Sequence, residues 1–481
     1  MTLLQQANHA MQGRDYAAAI ALYVRALQQC APLAPVLQGN LHRAQKAYRA
    51  QRTSQGGQEF PRVLVSSWDL SLNATGRATT LAQIWAGIGR AEVIGCLYPQ
   101  QKSQIWEPLQ DFPLSIHPLY VATGQSFVQQ ALDFVLAHPC DLLHLSKPRW
   151  PNILLGLLYK LVWACPVLMD VDDEELAFAK AISPVTLEEY LQTTPHLPNT
   201  PSSLRSATST RLGVGLTKVF DGITTVNPAL QQRYGGSIVH HARDAAQFAP
   251  STQRRSQARA RLGIDPGHTV ILFAGTPRAH KGLLETAQAI AEQRHSDLVF
   301  LIAGDFPDNL SSLKQQIASL PDVQTIMLPN QCFQTLPDTL AAGDICVLLQ
   351  DMDSVAAQYQ TPAKLTDALA MGLTVLATPT PALADLAAQG AFTPVPPGQL
   401  PQVLAATLAK RQNQRSNQPV AHPLFEQFLT TTANQVTLYQ LWQKTLQSSQ
   451  QELNTRLLEV AALLPGICLL ASGIGEGGEN G

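Results

Sequence analysis

Two cations three residues apart, Arg278 and Lys281, follow a short apolar run in residues 269–282 (TVILFAGTPRAHKG). Residues 270–274 read as a buried strand, Gly275 ends it, and residues 283–292 (LLETAQAIAE) read as an amphipathic helix. A strand that delivers two cations into the loop before a helix forms an anion site, because helix amides and side-chain charges point at the same space. Two such groups suit a diphosphate, which carries two adjacent anions. Two solvated surface cations give the same local pattern, so a second stretch has to decide.

That stretch is residues 360–372 (QTPAKLTDALAMG). Thr361 suits an N-cap, Pro362 the first helical position and Gly372 the C-terminal stop. The amides of Ala363 and Lys364 then face out of the helix end. Asp367 lies one turn further, and side chains lean toward the N-terminus, so its carboxylate is placed for a ribose hydroxyl. Asp367 as an i,i+3 partner of Lys364 is the plainer alternative, and adds only a few tenths of a kcal/mol.

The elements that position further polar groups alternate: strand 62–66, helix 78–87, strand 92–97, helix 126–137, strand 141–145, helix 151–164, strand 166–170. This is the pattern of a parallel, doubly wound α/β sheet, in which ligands gather at the carboxyl ends of strands. The loop after the first strand carries Gly76, which permits close backbone approach, and Arg77, which meets an acidic group or lies in solvent. Strand 141–145 runs into His144, Lys147 and Arg149. A core position is the plainer expectation for His144, whereas Lys147 and Arg149 suit an anionic or hydroxyl-rich acceptor. Strand 166–170 ends in an acidic cluster containing Asp172, readable as a site or as a cap for the next helix.

Together, residues 269–282 and 360–372 resemble the nucleotide-sugar half of a GT-B glycosyltransferase of family 4, the large retaining group. In that family the strand–Gly–loop supplies an Arg and a Lys for the donor diphosphate, matching Arg278 and Lys281. A helix opening on the phosphates carries a carboxylate for the ribose, matching Asp367. Residues 300–305 (FLIAGD) and 342–348 (AGDICVL) fit the same order, so the resemblance covers residues 268–388.

The resemblance implies an α/β, GT-B chain: two Rossmann-like doubly wound domains facing across a cleft, preceded by a helical appendage. Its expected divisions are the appendage at 1–52, an acceptor domain at 60–245, a donor domain at 246–420, a helix at 421–447 returning to the first domain, and a tail at 448–481. The implied activity is retaining hexosyl transfer from a nucleoside diphosphate sugar to an unidentified glycan, lipid or protein acceptor. Base recognition falls to backbone near residues 328–333. Arg278 and Lys281 would stabilise the leaving diphosphate, with Gly275, Ala363, Lys364 and Asp367 completing the donor site. Gly76, Arg77, His144, Lys147, Arg149 and Asp172 are the cleft candidates. No cofactor is implied. Asp170-x-Asp172 imitates the metal-binding DxD of GT-A enzymes, but a second nucleotide domain argues against that fold, and no metal is expected.

Two positions depart from the family pattern. Its paired glutamates with seven residues between them fall on Tyr359 and Asp367, and the second His of the strand end is Ser146. A non-catalytic GT-B scaffold therefore stays open as an alternative, with a GT-B epimerase or phosphorylase behind it.

The appendage contains GRDYAAAIALYVRAL, which resembles the centre of a tetratricopeptide repeat, with Tyr16, Ala19, Tyr23 and Ala26 at packing positions. One repeat is too little to stand alone, so it is expected to dock on the main body or on a protein partner. Residues 183–204, rich in Pro, Thr and Ser, are expected as a mobile excursion over the cleft. The apolar stretch 457–474 is interrupted by Glu459 and Pro465-Gly466, and is expected to be a peripheral or disordered tail rather than a membrane span. The Gly473-x-Gly-x-Gly-Gly sequence lacks a flanking strand and helix and reads as tail. A net charge of −2 gives no nucleic-acid footprint. Seven cysteines without a CxxC pair suit buried, reduced thiols. With no leader evident after Met1, a cytoplasmic location is expected, and peripheral membrane contact is left open.

Overall fold

Two parallel sheets carry the site. In the computed structural model, which describes residues 1–99, 103–412, 419–447 and 454–471, the first sheet holds β1 (Arg62–Ser67), β2 (Arg90–Leu97), β3 (Ile116–Tyr120), β4 (Leu142–Ser146), β5 (Val167–Val171), β6 (Gly222–Thr225) and β7 (Ser237–Ile238). Their spatial order is β3-β2-β1-β4-β5-β6-β7. The second sheet holds β8 (Thr269–Ala274), β9 (Leu298–Ala303), β10 (Gln324–Leu328), β11 (Ile345–Leu348), β12 (Thr374–Ala377) and β13 (Thr393–Pro394), in the order β10-β9-β8-β11-β12-β13. The ladders are parallel throughout. Strand order reverses beside β1, between β2 and β4, and beside β8, between β9 and β11. Each reversal opens a crevice at the strands' carboxyl ends. The GT-B expectation of two facing doubly wound sheets is met.

The appendage is helices α1 (Leu3–Gln12), α2 (Tyr16–Gln29) and α3 (Ala34–Ser54), and it is built into the first domain. Asp15 caps α2 by accepting from the Ala18 amide, and Ala19, Tyr23 and Ala26 are buried. Between it and the sheet lie α5 (Phe127–Ala137) and α6 (Trp150–Trp163), after α4 (Thr75–Ala86). Every residue of α6 is buried, which explains a sequence apolar on all sides: one face meets the sheet and the other meets the appendage. The Gln45 side chain donates to the carbonyls of Leu161 and Val162 at 2.8 and 2.9 Å. Arg52 closes a fork on Asp141 at 2.9 and 2.7 Å.

Three expectations need correction. The helical appendage, expected at 1–52, runs slightly further, because α3 continues to Ser54. Residues 183–204 form helices Leu187–Thr193 and Pro201–Leu204 rather than a loose excursion, with Tyr190, Leu197 and Leu204 buried. They are stitched to the first domain by Trp150 Nε1 donating to the Pro198 carbonyl at 2.9 Å. The apolar stretch from 457 also enters the core: Leu457, Val460 and Ile467 are fully buried beside the appendage. Its glycine-rich end lies outside the described residues. The helix Thr431–Gln447 returns to the first domain, where Leu438 and Trp442 join the cluster around α4. Among the described residues, no helix is long and apolar enough to cross a membrane.

Candidate functional site

The carboxyl ends of the two sheets face each other across a cavity of about 640 Å³. From the second domain come Gly275, Arg278 and Lys281 after β8, and Gln360, Ala363, Lys364 and Asp367 around the helix Ala363–Ala370. From the first come Gly76 and Arg77 on α4, Lys147 and Arg149 after β4, and Asp172, Asp173 and Glu175 after β5. Stretches separated by up to some three hundred residues in the chain thus share one space, as a doubly wound pair of sheets requires.

On the side of the second domain, Gly275 has φ +118°, and a Cβ there would lie 2.6 Å from Lys364 Cε. The glycine lets the Lys364 chain pass, and its ammonium rests 3.7 Å from the centre of the Phe273 ring. Burial, reinforced by Lys281, pulls the Lys364 pKa down to about 7. The Lys281 pKa is also lowered, chiefly by burial. Its Nζ donates to Gln360 Oε1 at 2.9 Å. The Arg278 guanidinium is exposed at the cavity and makes no hydrogen bond or ion pair among the described residues. No side chain caps the start of the helix Ala363–Ala370, so the amides of Ala363 and Lys364 stay open toward the cavity they line. Pro362, not Thr361, holds the cap position. The Thr361 hydroxyl instead accepts from Asn227 Nδ2 at 3.0 Å.

Asp367 lines the cavity but is not free. Its Oδ1 accepts from Arg243 Nε at 2.6 Å, and Arg243 also packs over the rings of Phe248 and Phe333. Burial raises the Asp367 pKa despite the opposing guanidinium. Arg243 is a cavity residue that sequence reasoning missed. It lies at the end of the expected first domain, and nothing local marks a partner 124 positions away.

The other side is an ion cluster. Lys147 Nζ lies 2.7 Å from Asp172, 2.6 Å from Asp173 and 3.2 Å from Glu175. Arg149 Nε donates to Glu175 at 2.5 Å, and its guanidinium stacks 4.9 Å from the Trp68 ring centre. Three carboxylates facing two cations leave one surplus negative charge, which favours holding a proton. Burial first, then the neighbouring carboxylates, push Asp172 up to about 7. Lys147 stays charged, because the three carboxylates outweigh its burial. Asp172, Asp173 and Glu175 have the spacing of cation ligands, but the Lys147 ammonium already sits among them. Lys147 turns the chain at φ +75°, and Asn152 Nδ2 holds its carbonyl at 3.1 Å.

Two sequence candidates do other work. Arg77 borders the cavity, but its guanidinium is buried in a fork on Asp170, at 2.9 and 2.7 Å, and donates to the carbonyls of Val239 and His240. It is therefore not placed to meet an acceptor. His144 lies outside the cavity and fully buried. It accepts from Trp85 Nε1 at Nδ1, so Nε2 carries the proton toward Thr224 Oγ1, 3.0 Å away. Burial pulls its pKa down to about 4. Ser146 is likewise buried away from the cavity, and Tyr359 turns its ring to Arg233 of the first domain. Gly76 borders the cavity at the start of α4, with the Trp106 ring nearby.

Residues 268–411 match the family model of the Glycosyl transferases group 1. Among solved structures, HepE of Anabaena in complex with UDP and glucose is similar with a TM-score of 0.55 and 16% identity, covering 81% of this chain and 100% of that one. The same protein in complex with UDP-glucose gives 0.52 and 16%, covering 84% and 100%. Sucrose-phosphate synthase from Thermosynechococcus elongatus gives 0.52 and 15%, covering 80% and 99%. No curated protein matches the chain.

Proposed function

Starting from a GT-B fold whose residues 268–411 match the Glycosyl transferases group 1, we propose that the chain is a glycosyltransferase using a nucleoside diphosphate sugar. The observation that carries this reading is the meeting of Arg278, Lys281 and an uncapped helix start on one wall of a cavity. Open amides and cations facing one space are the chemistry a diphosphate needs. The complexes of HepE with UDP and with UDP-glucose make UDP the first nucleotide to test.

In this reading Arg278 and Lys281 hold the diphosphate, and assist transfer to the extent that their bonds strengthen as negative charge grows on the leaving oxygen. The ribose approaches Asp367, whose carboxylate is oriented by Arg243. The acceptor enters beside Lys147, Arg149 and Asp172. A retaining course is part of the proposal: the bond from the sugar to the diphosphate breaks, the acceptor oxygen bonds on the same face, and its proton passes to the leaving phosphate oxygen. A metal-independent reaction fits the cavity, since the Lys147 ammonium occupies the acidic cluster. Release of UDP from UDP-glucose by the full chain, with glycan and lipid extracts as acceptors, tests the reading. Nucleotide binding without turnover of any sugar donor favours the scaffold alternative.

A further inference from the structure

Gln360 stands between the two halves of the cavity. Its Oε1 accepts from Lys281 Nζ at 2.9 Å, and its Nε2 donates to Asp173 Oδ1 at 3.0 Å. Gln360 is half-buried and lines the cavity, one residue after a tyrosine whose side chain turns away. Its backbone leaves the helix Val355–Tyr359 in an extended conformation, with ψ 124°, before the helix Ala363–Ala370, and Gln360 lines the cavity while the Tyr359 ring turns to Arg233. The amide is the neutral group joining a cationic wall, Arg278 and Lys281, to the acidic wall of Asp172, Asp173 and Glu175.

We propose that Gln360 is the side chain that recognises the sugar of the donor. The inference rests on the diphosphate reading of Arg278 and Lys281 and adds to it. A diphosphate held by those cations must direct its attached group toward the acceptor wall, and Gln360 is the polar side chain bridging that path. The ligand class it suits is a neutral, polyhydroxylated ring: an amide both donates to and accepts from hydroxyls and pairs with either role of a sugar OH. Lys281 has three donor hydrogens, so it can contact phosphate oxygens while still holding Gln360 Oε1. The Asp173 bond fixes the other end of the amide, which limits the rotamers that recognition must order.

The test is calorimetric titration of the full-length protein and of Gln360→Ala with UDP and, separately, with UDP-glucose, UDP-galactose and UDP-N-acetylglucosamine. Thermal unfolding of both proteins verifies that the variant is folded, and Gln360→Asn, with the same amide one carbon shorter, serves as a second variant. The expected result is UDP affinity within about twofold of wild type, together with a loss of roughly fivefold or more for the preferred UDP-sugar, the range of one neutral hydrogen bond. Gln360→Asn should fall between. A variant that weakens UDP and UDP-sugar equally, or neither, overturns the role of Gln360 while leaving the diphosphate site standing. Failure of the wild-type protein to bind any of these nucleotides overturns the diphosphate reading and this inference with it.

Discussion

Arg243 and Asp367 form an ion pair across the two domains, with Nε to Oδ1 at 2.6 Å and both side chains 8% exposed. The carboxylate expected to face a ribose is thus held from behind by a residue of the connecting segment. A buried charge that loses its partner costs about 3–5 kcal/mol. Arg243→Ala should lower the denaturation free energy by that order and weaken nucleotide binding as well. Asp367→Asn, which keeps the shape and removes the charge, leaves Arg243 unpaired and should also destabilise. Urea unfolding of both variants measures this. Wild-type stability in Arg243→Ala would mean that the pair does not hold the domains.

Nucleotide binding should be coupled to proton uptake. The Lys364 pKa is drawn down to about 7 by burial and by Lys281, so at pH 8 the amine is mostly neutral. An arriving diphosphate favours the charged form and raises that pKa, so a proton is taken up. Calorimetry at pH 8 in buffers of different ionisation enthalpy should show uptake approaching one proton, and Lys364→Met should remove most of it. The affinity of the wild type should fall as pH rises from 7 to 9.

His144 makes the opposite kind of prediction, about stability. Its folded pKa near 4 lies below the unfolded value of about 6.5, so the unfolded chain binds the extra proton in that window. The neutral ring's contribution is fully present above pH 6.5 and is lost as pH falls to 4, by roughly 3 kcal/mol. His144→Gln should flatten this part of the stability profile relative to wild type. Activity at neutral pH should respond only through folding, because His144 lies outside the cavity.

Removing residues 1–54 should disrupt folding rather than detach a recruitment module. The appendage covers α6, and its loss uncovers Trp163 and Leu161 and leaves Asp141 without its Arg52 fork. The truncated chain is expected to aggregate or to bind a hydrophobic dye. A soluble, cooperatively unfolding product with unchanged nucleotide binding would contradict this.

The donor half of the fold was legible because its signals are local. Strand, glycine, cation pair and helix follow one another within residues 269–293, and the second stretch reads in the same way from 360 to 372. Boundaries moved by single positions, as at Pro362, where the backbone capped one residue later than the side-chain pattern indicated. What stayed hidden depends on pairs far apart in the chain. Arg77 was left between an acidic group and solvent, because Asp170, the carboxylate it meets, lies 93 residues on. Tyr359 looked like a damaged site position, although its ring faces Arg233 and the cavity-facing neighbour is Gln360. The C-terminal apolar stretch looked peripheral because the surface that buries it, formed by the appendage and α6, exists only after folding.

The diphosphate site is tested most directly by titrating the wild-type protein, Arg278→Ala and Lys281→Ala with UDP, GDP and ADP. One nucleotide should bind saturably, and each substitution should weaken it about tenfold or more, the loss of one charge-assisted hydrogen bond of roughly 1.5–3 kcal/mol. Thermal unfolding should be unchanged for Arg278→Ala, whose side chain has no intramolecular ion pair among the described residues. Saturable binding that both variants retain at full strength, or no binding of any of the three nucleotides by the wild type, would contradict the account.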